Sequence, residues 1–131
     1  MKRLLAIITT AVILTGCSIA PYHYDQNEYN LLVDLTFAVK RVHEHCGSVA
    51  DVTLLTPVLN DKAALVEIYV DYSHEDKQMK QAVKIVIVSI KQLSDAYQAT
   101  VKPSTAYCIN KTQIIESELR RILITVGGKP Q

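Results

Sequence analysis

The sequence predicts an all-α protein, a small antiparallel bundle of up-down-up-down connectivity. Two observations carry this. Apolar residues recur at alternating spacings of three and four along most of the chain after residue 25, the mark of helices with one buried face. Four Gly and four Pro in 131 residues are too few turn formers for a many-stranded sandwich or barrel. The length allows one domain. Helices with a single apolar seam and short connections bury those seams most simply against antiparallel neighbours.

Helix 1 is expected over about residues 26–46. Asp25-Gln26-Asn27-Glu28 reads as a capping box, with Glu three residues after an N-cap carboxylate. Leu32, Leu35, Val39, Val42 and Cys46 then share one face, and Gly47 stands where a left-handed C-cap is placed. Ser48-Val49-Ala50-Asp51 can start a short helix that Pro57 interrupts. Leu59, Ala63, Val66 and Tyr69 fall on the face of a longer helix beyond it, although frequent Val and Thr leave room for extended backbone. Ser73-His74-Glu75-Asp76 reads as the next N-cap, with two acids in the first turn. Met79, Val83, Val86, Ile90, Leu93 and Tyr97 follow at helical spacing, which outweighs the β-branched character of residues 83–90. Pro103 ends that helix and Ser104 is placed to cap the last one. Cys108, Thr112, Ile115, Leu119, Ile122 and Val126 form its seam, up to Gly127-Gly128.

The first residues read as an address. Lys2 and Arg3 precede an apolar run from Leu4 to Leu14, of signal-peptide length and short of the ~20 residues a membrane-spanning helix needs. The run ends in Leu14-Thr15-Gly16-Cys17, which resembles the lipobox of bacterial lipoproteins. The resemblance implies cleavage between Gly16 and Cys17 and acylation of Cys17. The alternative is an ordinary secretory signal with an incidental Cys. Ser18, where inner-membrane lipoproteins often carry Asp, favours the outer membrane with the folded part facing the periplasm. The expected organisation is a signal peptide at 1–16, a lipidated tether at 17–27, a helical domain at 28–128 and a tail at 129–131. Ten flexible residues from Ser18 to Asn27 span about 17 Å root-mean-square, so the domain is held near the lipid surface. Removal of Lys2 and Arg3 leaves 12 basic against 13 acidic side chains. A near-neutral chain without a basic surplus argues against nucleic acid as partner.

With Cys17 acylated, Cys46 and Cys108 remain for the oxidising periplasm, and a disulfide is the expectation. Two buried thiols or an intermolecular bridge are the alternatives. The end of helix 1 and the start of helix 4 share a pole in an up-down-up-down bundle, whereas one helix fewer would put them ~30 Å apart.

Motifs for chemistry are sparse. His43-Glu44-His45-Cys46 invites a metal, but residues i and i+2 lie about 200° apart on a helix and cannot converge on one ion. The better reading is a polar last turn whose imidazoles suit the C-terminal dipole. The sequence has no phosphate-binding glycine loop, no G-x-S-x-G and no H-E-x-x-H, so neither a cofactor nor an enzyme is expected. On helix 3, Lys77, Lys80, Lys84 and Lys91 fall within about 60° of one another, opposite the seam. Such a stripe is either a solvated face or a contact for anionic lipid or an acidic partner. Ile85 and Val88 lie off the seam, and are either core or an exposed interface. The layout resembles two classes of small envelope lipoprotein, secretin pilotins, which hold a partner helix in a groove, and phage outer-membrane spanin subunits. The function expected is therefore contact with a protein partner, in lysis or exclusion, with a pilotin-like role as the alternative. A purely structural role is a further alternative.

Overall fold

The computed structural model describes residues 25–73 and 76–127. They form four helices, α1 (Gln26–Glu44), α2 (Val49–Ser73), α3 (Lys77–Gln98) and α4 (Thr105–Gly127). Each packs on its chain neighbours and α4 closes the ring on α1, giving the expected up-down-up-down bundle. The signal segment at 1–16, Cys17 and the tail at 129–131 lie outside the described residues.

α1 starts where the capping box places it. Asp25 Oδ1 accepts the backbone N–H groups of Asn27 (2.8 Å) and Glu28 (3.4 Å), which nothing inside the helix can satisfy. Helix geometry begins at Gln26, so Gln26 and Asn27 belong to the bundle. At the other end Gly47 is not a left-handed cap, since no described glycine has positive φ. The N–H groups of His45, Cys46 and Ser48 donate to carbonyls three residues back, at 3.1, 3.2 and 2.9 Å. That chain of tight turns keeps the backbone right-handed into α2 and leaves glycine's extra freedom unused.

α2 departs most from expectation. It begins at Val49, after Ser48 Oγ accepts the Asp51 N–H at 3.3 Å, and runs unbroken through Pro57 to Ser73. Proline removes the N–H that would bond the carbonyl four residues back, which here belongs to Thr53. The side-chain amide of Gln98, at the end of α3, donates to that carbonyl at 3.0 Å. Pro57 is thereby accommodated inside one helix rather than dividing two.

The cap before α3 is also displaced. Ser73 closes α2, its hydroxyl donating to the Tyr69 carbonyl at 2.7 Å. Asp76 is the N-cap, accepting from the N–H of Gln78 (2.8 Å) and Met79 (3.3 Å), and the first turn of α3 holds no acid. A carboxylate is the stronger acceptor at the positive helix end, and the serine hydroxyl is already committed backwards. His74 and Glu75 fall outside the described residues. Ser104 caps α4 as expected, with Oγ accepting the Tyr107 N–H at 3.2 Å.

The four seams meet in one core. Leu32, Leu35, Leu59, Ile90, Leu93, Ile115 and Leu119 are all fully buried within it. Val70 takes the core position expected of Tyr69, which stands half-buried with its hydroxyl donating to Asp25 Oδ2 at 2.6 Å. One residue thus caps α1 and binds the last turns of α2. At the opposite pole Cys46 and Cys108 form the disulfide, Cα–Cα 5.6 Å, across 62 residues. At the first pole the Tyr29 ring lies over Gly127, where a Cβ would stand 3.1 Å from Cε2. Any side chain there would displace the ring.

Candidate functional site

The residues of the His43-Glu44-His45 turn face different neighbours. His43 Nδ1 lies 2.8 Å from Thr112 Oγ1, whose own proton goes to the carbonyls of Cys108 (2.8 Å) and Ile109 (3.0 Å). With the hydroxyl proton on a carbonyl of its own helix, the arrangement suits an imidazole that donates through Nδ1–H. His45 Nδ1 pairs with Asp51 Oδ2 at 3.2 Å. One imidazole is turned to α4 and the other to α2, which joins the three helices beside the disulfide. Among the described residues no cluster of His, Cys, Asp and Glu is arranged to hold a metal ion.

The face singled out on α3 is split by the fold. Lys80 and Lys84 line a cleft against Glu67 and Asp71 of α2, and Lys80 Nζ donates to the Asp71 carbonyl at 3.0 Å. Part of the lysine stripe, Lys77 included, therefore shares a cleft with acids of the same molecule. Lys91 stays exposed. Ile85 is 51% exposed and Val88 46%, so neither is core. Val88 borders the lysines, while Ile85 lies about 100° or more away from them, on the flank turned toward α4.

A larger apolar surface, on α2, was not singled out from the sequence. Leu54, Val58, Leu65, Ile68 and Tyr72 are between 53% and 90% exposed. With Asp61 they follow spacings of 4, 3, 4, 3 and 4. This is a second helical seam, about 160° round the helix from the buried one. Phe37 of α1, 65% exposed, extends it. Phe37, Ala38, Leu55 and Val58 line a shallow groove between α1 and α2, at whose edge Lys62 Nζ donates to Asp34 Oδ2 at 2.5 Å. The signal was present in the spacing. It is masked when each helix is assigned one seam only.

Such a surface offers apolar contact rather than reaction chemistry, since an exposed row of large side chains loses unfavourable hydration only when covered. No described helix is long and apolar enough to cross a membrane. No family model, curated protein or solved structure matches the chain.

Proposed function

We propose that this chain is a non-enzymatic outer-membrane lipoprotein, anchored through acylated Cys17, whose periplasm-facing bundle acts by protein–protein contact in the envelope. Lysis of the spanin kind, or exclusion, is the class of role this fits. The exposed apolar row on α2 is the observation that supports action by contact, because a monomeric surface normally keeps the outward side of such a helix polar. Leu14-Thr15-Gly16-Cys17 after a short apolar run supports the anchor. Durable attachment takes two or more acyl chains, and the tether keeps the bundle within reach of other envelope components.

A pilotin-like role is the second reading. The groove between α1 and α2, floored by Ala38 and Leu55 and bordered by Phe37 and Val58, favours it as a seat for a partner helix.

Metabolic labelling with a palmitate analogue, followed by membrane fractionation, tests the anchor. The wild-type chain is expected to label and to sediment with outer membranes, and Cys17→Ala to do neither. Unchanged labelling of Cys17→Ala ends the lipoprotein reading.

A further inference from the structure

We propose that the groove between α1 and α2 receives an amphipathic helix of a partner protein, one that brings an acid to Arg41 and a base to Asp61. The inference rests on the groove reading above and deepens it by stating the chemistry of the partner.

The groove has a closed end and an open one. Lys62 Nζ donates to Asp34 Oδ2 at 2.5 Å and ties the two helices together across the closed end. From there two helical turns, about 10 Å, lead to Arg41. Phe37 and Val58 wall this stretch, and the small side chain of Ala38 keeps its floor low. The volume between them is about 270 Å³. An apolar cavity of about 150 Å³ already holds a benzene-sized group, so more than one large side chain can enter. The backbone groups of both walls are bonded within their own helices, which leaves no edge for an extended strand. A helix running along the groove is the shape that fits.

Charge says what that helix carries. Asp34 and Lys62 neutralise each other. Arg41 and Asp61, both exposed, have no ion pair among the described residues. The antiparallel pairing that sets Asp34 beside Lys62 sets Arg41 level with Leu55. Asp61 therefore lies about 9 Å from Arg41 along the axes, on the far rim of Val58. The seat is apolar in the middle, positive at one end and negative at the other.

A helix with an acid at i, large apolar residues at i+3 and i+4 and a base at i+7 complements it. Residues i and i+7 share a face about 10.5 Å apart, close to the spacing of the two free charges. The residues between them meet Phe37 and Val58, and an aromatic side chain beside an arginine is characteristic of interface cores. One acid and one base fit in one direction only, so the charges also fix how the partner lies.

The test replaces Phe37 with the photo-crosslinker benzoylphenylalanine in the full chain, isolated from envelopes and held in phosphatidylcholine nanodiscs. Two stapled helical peptides are offered. One carries Glu, Leu, Leu and Lys at i, i+3, i+4 and i+7, and the other has Lys in place of Glu. The first is expected to crosslink at least tenfold more than the second. Arg41→Glu is expected to reverse that preference, and Asp61→Lys to weaken the first peptide, each with helicity and melting unchanged. Equal yields, or a preference that Arg41→Glu leaves in place, would overturn the proposal. So would an adduct with lipid or with a second copy that excludes the peptide. The mass of the same adduct reports whether Cys17 is acylated. An unacylated chain that passes the peptide test removes the anchor and keeps the groove, and an acylated chain that fails it does the reverse.

Discussion

Gln98 at the end of α3 completes the hydrogen bonding of α2, donating to the Thr53 carbonyl that Pro57 leaves without an intrahelical partner. Pro57 and Gln98 are far apart in sequence yet act as one unit, a proline in one helix and its compensating amide in the next. Gln98→Ala is expected to cost about 0.5–1.5 kcal/mol, the usual net worth of one hydrogen bond. In a Pro57→Ala background the backbone N–H restored at position 57 takes over the carbonyl, so the same truncation should cost almost nothing. A denaturant double-mutant cycle checks this, and equal losses in both backgrounds would dissolve the link.

The Cys46–Cys108 disulfide ties the start of α4 to the end of α1. Closing a loop of this length stabilises a fold by about 4 kcal/mol in the chain-entropy model. The Cys46→Ala/Cys108→Ala protein should therefore lose a large part of its stability while the helix content of whatever remains folded is unchanged. Urea titration followed by circular dichroism measures both.

Two tyrosines make the bundle sensitive to alkali. The Tyr69 hydroxyl donates to the Asp25 carboxylate, which holds its proton above the ordinary value of 10.0. Burial does the same for Tyr97, reinforced by Tyr107. A group that holds its proton more tightly when folded contributes stability below its unfolded pKa, and that contribution is lost as pH rises through the folded pKa. Stability is thus expected to decline above about pH 10, and less so in Tyr69→Phe/Tyr97→Phe. At neutral pH Tyr97→Phe alone should gain about 1 kcal/mol, because the buried hydroxyl it deletes has no hydrogen-bond partner among the described residues. Melting curves across the pH range test both statements.

Ile85 and Val88 are exposed, while Val86, Ile87 and Ile90 of the same helix are core. Changing both to Gln should leave stability within about 0.5 kcal/mol of wild type, as for other surface sites. Ile90→Ala, fully buried on the same helix, is expected to cost about 2–5 kcal/mol. A large drop for the exposed pair would mean that the bundle covers them.

Much of this architecture is legible in the residues, for a physical reason. α1, α3 and α4 each carry one apolar seam, so periodicity alone marks their buried sides, and the pole shared by Cys46 and Cys108 follows from their order. α2 resists the same reading because it carries two seams on opposite faces, which blurs its period, and because Pro57 signals a break that only a distant side chain repairs. The cap at Asp76 was obscured by Ser73, three residues earlier, with the same chemistry. The outer row from Leu54 to Tyr72 is present in the spacing, but it is hidden once Leu59, Ala63 and Val66 are taken as the single seam of that helix.

Anchoring through acylated Cys17 is the proposal on which the envelope role rests. Intact mass spectrometry of the mature chain, extracted from membranes with mild detergent, tests it most directly. The predicted species begins at Cys17, carries the added mass of a diacylglyceryl group with or without a further amide-linked chain, and retains one disulfide between Cys46 and Cys108. A chain that still begins at Met1, or that begins elsewhere with an unmodified Cys17 thiol open to alkylation, would contradict it.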